Sequence, residues 1–193
     1  MSATLRAAAL ASTCLLAACA SRGAAGPGVW VSASPEAQAG QLAGTTWAMR
    51  LEFRVEARPV PIGDAWGLAL RVTAKNPVDG LFEIAGHPPL RLTGHQTTRA
   101  GEEISFDDGC GGTRPDPIVL RGGDRVRWKR SYGHGTDEAL RSGERVTLDL
   151  AVCHVKTPAG DSVRSMPVAQ VVMVAGPTGD PLVTISEPQP PKP

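Results

Sequence analysis

Large apolar and mainly charged side chains alternate along Trp47-Ala48-Met49-Arg50-Leu51-Glu52-Phe53-Arg54-Val55-Glu56-Ala57-Arg58. Because successive side chains of a β-strand point to opposite faces of its sheet, this stretch predicts a strand with one buried and one solvated face. The same period of two returns in 66–75, 125–132 and 144–155. The pattern therefore indicates a protein built from strands, each with an apolar side turned toward a common core.

Turn-forming residues separate these segments. Asn76-Pro77 and Asp79-Gly80 follow the second long strand, and a total of 22 Gly and 17 Pro supplies turns elsewhere. Shorter strand candidates lie at 81–84, 89–93, 102–106, 117–120, 168–174 and 182–186. Short strands joined by such turns predict an all-β fold, a single antiparallel immunoglobulin-like β-sandwich over residues 46–186.

The composition excludes several classes of protein. Hydrophobic residues make up 41% of the chain, which is too many for a disordered protein. With 20 basic and 19 acidic residues the chain is nearly neutral, and nucleic-acid binding depends on a basic surface. The sequence lacks a nucleophile elbow, a phosphate-binding loop, an HExxH motif and a dinucleotide fingerprint. It therefore predicts a protein that is not an enzyme, that uses no cofactor or metal, and that binds no nucleic acid.

The first residues have the three parts of a secretory signal. Arg6 supplies a positive charge, an apolar run covers 7–18, and small residues precede Cys19. The run is too short to span a bilayer, which takes about 20 apolar residues. The quartet Leu16-Ala17-Ala18-Cys19 resembles the lipobox of bacterial lipoproteins. An ordinary signal peptide followed by an unrelated cysteine is the alternative.

The lipobox resemblance implies where the mature protein lies and what holds it there. In that family the signal, here 1–18, is removed, and the cysteine, here Cys19, receives a diacylglyceryl group and an acyl chain such as palmitate on its new amino terminus. Because Ala20 and Ser21 follow the cysteine instead of Asp, the family's sorting pattern favours the outer membrane over the inner one. We then expect residues 19–45 to form a flexible Gly/Ala/Pro stalk and 187–193 a disordered Pro-rich tail. Within the stalk, Val29-Trp30-Val31 could alternatively pair as an edge strand.

The remaining cysteines predict one disulfide bond. Cys14 leaves with the signal and Cys19 carries the lipid, so Cys110 and Cys153 are left to pair in an oxidising compartment. Cys110 lies in a Gly-rich loop, and Cys153 alternates out of phase with the apolar residues of its strand. We therefore expect the bond to tie a loop to a strand end without joining two sheets. A metal or nucleophile site that includes His134 and His154 is the alternative, which no CxxC or HxxxH spacing supports.

The stretch from Asp107 to Pro117 is the first candidate for binding. Asp107, Asp108 and Asp116 could ligate a cation, although adjacent carboxylates on an extended chain point apart. Arg114 could be the scissile residue of a protease inhibitor, although the proline after it obstructs cleavage by trypsin-like enzymes. The sequence favours the plainer interpretation, a Gly-rich connection held by a disulfide.

A basic row is the second candidate. Arg125, Arg127 and Lys129 alternate along one strand, and such a row could bind an anionic glycan, a lipid head group or peptidoglycan. Alternatively the row forms ion pairs with Glu144 and Asp149 on a neighbouring strand. Because Arg6 leaves with the signal, the mature chain has equal numbers of acids and bases, and this balance favours the ion pairs. The candidate binding surface as a whole comprises Arg121, Arg125, Arg127, Lys129, Asp107, Asp108 and Arg114.

Three further segments resemble a known kind of domain. They are Leu70-Arg71-Val72-Thr73-Ala74-Lys75-Asn76, then Arg125-Val126-Arg127-Trp128, then Leu140-Arg141-Ser142-Gly143-Glu144-Arg145-Val146. Their order resembles that of small bacterial immunoglobulin-like β-sandwiches of the intracellular-proteinase-inhibitor type. The resemblance implies the fold. It does not extend to inhibition, because this sequence adds Cys110 and lacks a recognisable reactive loop.

These features together predict a lipid-anchored envelope lipoprotein that presents a non-catalytic β-sandwich for binding or assembly. Its expected partner is an envelope protein or an anionic glycan. The first alternative is an inhibitor of a protease or another envelope hydrolase. The second is a hydrolase whose site is not visible in the sequence, since catalytic groups need not be adjacent along the chain.

Overall fold

The structure is a computed structural model, and it describes residues 21–23, 30–33, 41–42, 45–46, 51–133, 138–176 and 180–188. These residues form strands and turns but no helix. Accordingly, the described part of the chain contains no helix that could span a membrane.

The strands follow the predicted alternation and are longer than predicted in the middle of the chain. Fourteen strands are present in the described residues: β1 (Ser21–Gly23), β2 (Val31–Ala33), β3 (Gln41–Leu42), β4 (Thr45–Thr46), β5 (Glu52–Ile62), β6 (Ala65–Lys75), β7 (Phe82–His87), β8 (Leu90–Thr97), β9 (Glu103–Asp107), β10 (Gly112–Leu120), β11 (Arg125–Tyr132), β12 (Arg145–Lys156), β13 (Ser162–Ala175) and β14 (Pro181–Ser186).

The strands form two main antiparallel sheets. The eight-stranded sheet has the order β1-β14-β13-β12-β7-β10, and β8 and β9 join it beside β12. The four-stranded sheet has the order β11-β6-β5-β2, while β3 and β4 form a separate pair. Strand β14 contacts β2 and β5, so the β1 edge of the large sheet lies near the β2 edge of the small one.

Two strand positions in the large sheet are interrupted. Both β7 and β8 pair with β12, but this ladder is interrupted between the Ile84–Val155 and Leu90–Val152 pairs. The His87–Pro88 peptide bond in this interruption is cis. In the same way β9 pairs with β8 and β10 with β7, and the loop 108–111 connects them. β7 and β8 therefore occupy one strand position, and β9 and β10 occupy the next. Both positions are broken at the same level of the sheet.

The core lies between the two sheets. Apolar side chains of both sheets form one buried cluster, in which Val55 and Val72 of the small sheet and Leu148 and Val171 of the large sheet are 0% exposed. Burying this surface is the main favourable contribution to folding. The prediction of an all-β antiparallel sandwich is confirmed.

Two short segments within the expected stalk, 19–45, are paired strands, and at the second of them the alternative of an edge strand is the arrangement observed. Residues Ser21–Gly23 pair with β14, and Val31–Ala33 pair with β5, because the sheets offer open edges there and Val31 buries its side chain in the core. The signal peptide, Cys19 and residues 189–193 of the expected tail lie outside the described residues.

Candidate functional site

The basic row lies on an edge strand, and its neighbours differ from those expected. Strand β11 pairs with β6, so Arg125 lies opposite Lys75 and Lys129 lies opposite Arg71. The expected ion pairs with Glu144 and Asp149 do not form. Glu144 accepts the Arg141 backbone N–H at 2.9 Å, and Asp149 accepts the Gln170 amide at 2.9 Å. That expectation fails because the two acids lie on or beside β12, in the other sheet.

The outward side of the four-stranded sheet is strongly basic. In β5, β6 and β11, every second side chain points away from the core. Because these strands pair in register, the outward side chains form rows across the sheet. These rows hold seven basic side chains and two carboxylates, Glu52 and Glu56. We call this set the basic face, and its cationic members are Arg54, Arg58, Arg71, Lys75, Arg125, Arg127 and Lys129. A chain that is neutral as a whole therefore concentrates positive charge on one surface.

The two carboxylates neutralise only part of the basic face. Lys75 Nζ donates to Glu52 Oε2 at 2.9 Å, and Arg54 lies 3.5 Å from Glu56 Oε1. On the edge strand, Arg127 Nε donates to the Thr73 hydroxyl at 3.4 Å, and among the described residues Arg127 has no ion pair. Arg125 and Lys129 are exposed, and neither forms an ion pair with any residue that the structure describes. The β11 edge is therefore the least neutralised part of the face.

The ring of Trp30 contacts two arginines on the β2 side of the basic face. Trp30 precedes β2, and its ring centroid lies 3.9 Å from the Arg71 guanidinium carbon and 4.9 Å from that of Arg58. A cation over the face of an indole is attracted by the ring quadrupole. The ring holds two guanidinium groups of the face in place, and it contributes no negative charge that would neutralise them.

The like-charged neighbours have an energetic cost. Like charges directly opposite each other in an antiparallel pair destabilise it, by roughly 0.2–1 kcal/mol. Basic side chains on an edge strand also discourage pairing with another sheet. Edge protection accounts for the cations on β11. On the interior strand β6, Arg71 and Lys75 lie opposite Glu56 and Glu52 of β5 on one side and opposite cations of β11 on the other. The β11 cations have no carboxylate opposite them among the described residues, so the excess positive charge is concentrated on the β11 edge.

Asp107 and Asp108 belong to a different part of the molecule. Two parallel N–H···O bonds join the Arg91 guanidinium to Asp107, and Arg130 is ion-paired with Asp108. Donation from Arg91, and secondarily from the Gly109 backbone N–H, holds the pKa of Asp107 below its usual value. Asp108 Oδ1 accepts the Leu92 backbone N–H at 2.7 Å. The Arg91–Asp107 pair lies within the large sheet, and the Arg130–Asp108 pair connects β11 of the small sheet to the 108–111 loop. No group of three or more metal-ligating side chains occurs among the described residues.

The predicted disulfide is present, within the large sheet. Cys110 lies in the 108–111 loop and Cys153 on β12, and their Cα atoms are 5.4 Å apart. The Cys110 carbonyl oxygen lies 3.0 Å from His154 Nε2. A Cβ atom added at Gly86 would lie 2.5 Å from the Cys153 Cβ, so glycine allows β7 to pass beneath the bond. The predicted pairing is confirmed, and the bond crosses the interrupted strands without joining the two sheets.

The remaining members of the predicted surface are separate from the basic row. Arg114 lies in β10, within the irregular stretch that interrupts its pairing with β7. Arg121 begins the turn before β11, where its backbone N–H donates to Asp124 Oδ2 at 2.8 Å. The structure thus keeps Arg125, Arg127 and Lys129 together and adds Arg54, Arg58, Arg71 and Lys75. Sequence reasoning missed these four because the pairing of β5, β6 and β11 was unknown, although their alternation had placed them outward.

A cleft adjoins the β11 edge. It has a volume of about 470 Å³, and the residues that line it are Pro88, Pro89, Leu90, Arg127, Trp128, Lys129 and Arg130. One wall is the interruption between β7 and β8, and the other is β11. The cleft is thus apolar on one side and bordered by cations of the basic face on the other.

The similarity of this chain to known proteins is slight. No family model matches the chain, and no curated protein matches it. Among solved structures, a Bordetella pertussis protein named ApaA has a TM-score of 0.42 and 14% identity, over 64% of this chain and 92% of its own. A second structural-genomics target, SoR45, has a TM-score of 0.43 and 8% identity, over 66% of this chain and 88% of its own. At these scores neither similarity bears on the site.

Proposed function

We propose that this protein is a lipid-anchored envelope lipoprotein whose non-catalytic β-sandwich binds an anionic partner through the basic face. The observation that carries the proposal is the placement of Lys129 opposite Arg71 and of Arg125 opposite Lys75. Such neighbours reduce the stability of the free protein. A bound anion would offset the repulsion, so the same contacts that destabilise the free sheet favour the complex.

The chemistry of the basic face suits an extended anionic partner. Side chains on one face of a strand repeat about every 7 Å, and neighbouring strands lie about 4.8 Å apart. The cations therefore form a regular array and not a closed pocket. Guanidinium groups bind carboxylate and phosphate through two parallel hydrogen bonds, and five of the seven cations of the basic face are arginines. Arg127 on the edge strand donates its Nε–H to the neutral Thr73 hydroxyl at 3.4 Å, so its charge is not neutralised by that contact.

The lipid anchor is supported by the sequence Leu16-Ala17-Ala18-Cys19. Several acyl chains on one cysteine bind a membrane far more firmly than a single chain, since each buried CH₂ contributes about 0.8 kcal/mol. Substitution Cys19→Ser should release the protein from the membrane fraction into the soluble fraction of the envelope. Retention of this variant in membranes would contradict the anchor.

Binding to a charged polymer tests the proposed function directly. We expect the mature protein to bind dextran sulfate and not uncharged dextran, with an affinity that falls as salt concentration rises. Arg127→Glu should weaken this binding at least tenfold. Arg145→Glu makes the same charge change at an exposed position of the large sheet and should have a much smaller effect. Equal effects of the two substitutions would show that net charge, and not the basic face, governs binding.

Inhibition of an envelope hydrolase is a second candidate, because the loop that it requires is rigidly held. The exposed stretch around Cys110 is fixed by the disulfide, by the Arg91–Asp107 and Arg130–Asp108 ion pairs, and by the contact with His154. Purified protein assayed against lysozyme and serine proteases tests this candidate. Inhibition that Arg114→Ala abolishes would favour it over binding through the basic face.

A further inference from the structure

The edge of β11 that faces away from β6 pairs with no other described strand and lies beside the basic face. Among the described strands, β11 ends the order of the small sheet. The adjoining cleft is lined by four consecutive residues of this strand, Arg127 to Arg130. Consecutive side chains of a strand point to opposite faces of the sheet. Because all four residues line the cleft, the cleft runs along the backbone edge of β11. An edge strand presents unpaired N–H and C=O groups there, which can pair with a further strand.

The two sides of this edge differ in polarity. On the inner side, the cleft contains Trp128, which is 8% exposed, and Leu90, which is 1% exposed. Pro88 and Pro89 form the facing wall, and proline has no backbone N–H to donate. On the outer side, Arg127 and Lys129 continue the basic face. A strand added to β11 would therefore have an apolar environment on one face and a cationic environment on the other.

We propose that the anionic partner is a protein segment that adds to β11 as an antiparallel or parallel strand, with acidic side chains alternating with apolar ones. Its acidic side chains would lie beside Arg127 and Lys129, and its apolar side chains would enter the cleft against Pro88 and Trp128. Main-chain hydrogen bonds supply affinity in such strand addition, and alternate side chains supply specificity. This inference rests on the proposed function, because it assumes that the basic face binds an anionic partner.

Two other occupants fit the edge less well. A second copy paired through β11 would bring two basic rows together, and like charges on adjacent strands oppose this. A bilayer surface is disfavoured by the position of the anchor. Strand β1 begins at Ser21, shortly after Cys19, and lies at the edge of the large sheet beside β2. Strand β11 ends the small sheet on the side away from β2, so the lipid would hold β11 away from the membrane.

Peptide binding to the mature lipoprotein in detergent tests the inference. The probe is a capped peptide of about seven alternating Glu and Leu residues, the length of an ordinary strand. One control peptide has the same composition in two blocks, Glu then Leu. A second has the alternating sequence with backbone N-methyl groups on every other residue, which removes main-chain donors and keeps the charges. Affinity is measured by fluorescence anisotropy, and hydrogen exchange is followed at the amides of 125–129.

We expect the alternating peptide to bind at least tenfold more tightly than either control and to slow exchange of alternate amides in 125–129. We also expect Lys129→Glu to weaken this binding, and Arg145→Glu to leave it within about twofold. Equal binding of the three peptides, with unchanged exchange in β11, would overturn strand addition while leaving anion binding by the basic face intact. A protein that binds neither dextran sulfate nor any of the peptides would overturn the proposed function as well. If the protein formed dimers without any peptide, and the β11 amides were protected from exchange in those dimers, the inference would be overturned. The occupant of the edge would then be a second copy of this chain.

Discussion

Lys129 on β11 lies directly opposite Arg71 on β6, and no carboxylate of the described chain pairs with Lys129. Substitution Lys129→Glu replaces a like-charged pair with an opposite one. We expect it to increase the free energy of unfolding by roughly 0.2–1 kcal/mol, measured by urea denaturation at low salt. The gain should shrink at high salt, because the side chain is exposed and its interactions are screened.

The neutral variant Lys129→Gln is the matched control for this prediction. It removes the repulsion without adding an attraction, so its stability should lie between those of the original protein and Lys129→Glu. Both variants should bind dextran sulfate more weakly than the original protein. A loss of stability in Lys129→Glu at low salt would contradict the view that the basic face is maintained at the expense of stability.

The single tyrosine of the chain reports on the end of β11. Tyr132 donates its hydroxyl hydrogen bond to Gln96 Oε1 at 2.7 Å and packs against the Phe106 ring, with centroids 5.0 Å apart. Burial, and secondarily the charges of Glu138 and Glu144, raises the pKa of Tyr132 to about 12. Tyrosinate absorbance should therefore titrate near pH 12 in the folded protein, and near about 10 in the urea-unfolded protein.

The direction of the resulting pH dependence follows from this shift. The folded state favours the neutral phenol, so its contribution to stability is fully present below the unfolded pKa and is lost as pH rises through the folded pKa. The free energy of unfolding should decline between about pH 10 and 12. Glu144→Gln should lower the pKa of Tyr132, because it removes one nearby negative charge. Titration of folded Tyr132 at its ordinary value would contradict the described packing between β9 and β11.

The sequence predicted the face on which each side chain lies better than it predicted that side chain's neighbours. Phe53 and Val55 are buried and Arg54 is exposed, as their alternation indicates. Alternation is a local property, however, and it leaves open which strand pairs with which. The ion pairs expected for Arg125 with acids near β12 failed for this reason, since the pairing of β11 with β6 joins residues about 50 positions apart.

Other differences have the same physical origin. The apolar residues near Trp30 were a signal that the expected stalk returns to a sheet, and Val31 does pair with Ala57. The pairing of Cys110 with Cys153 was predictable by elimination, because an exported chain leaves few alternatives. The crossing of that bond over an interrupted strand was not predictable. It depends on the break in pairing with β12 between Ile84 and Leu90, and the sequence shows no pattern from which to infer that break.

A buried asparagine links the turn at 76–80 to the end of β10. Asn76 is 0% exposed, its Nδ2 group donates to the Gly80 and Leu120 carbonyl oxygens at 3.1 Å, and its Oδ1 accepts the Val78 N–H at 3.1 Å. Asn76→Ala leaves these groups without partners, and each buried unsatisfied group costs about 1–3 kcal/mol. We expect this variant to lose at least about 2 kcal/mol of unfolding free energy in urea denaturation.

The exposed amide of Gln170, which donates to Asp149 at 2.9 Å, provides the comparison. Gln170→Ala removes a hydrogen bond that water can replace, so it should cost less than about 0.5 kcal/mol. Asn76→Asp keeps the shape of the side chain but exchanges a donor for an acceptor, and it should destabilise the protein as Asn76→Ala does. If Asn76→Ala were as mild as Gln170→Ala, Asn76 would not be the link between the turn at 76–80 and β10.

The Cys110–Cys153 bond should stabilise the large sheet more than the small one. The cysteines are 43 residues apart, and closing a loop of that length contributes about 4 kcal/mol in the chain-entropy model. The double substitution Cys110→Ser and Cys153→Ser should therefore lower the free energy of unfolding by up to that amount. Because the bond lies at the interruption between β9 and β10, hydrogen exchange should increase first in residues 103–120.

Strands β5 and β6 serve as the internal control, since they belong to the small sheet. In the disulfide-free variant their amides should exchange only through global unfolding, while those of β9 and β10 should also exchange through local opening. Uniform acceleration throughout the chain would show that the bond stabilises only the molecule as a whole. Binding to dextran sulfate should persist in this variant under conditions where it is folded, because no ion pair or hydrogen bond between described residues joins a cation of the basic face to the 108–111 loop.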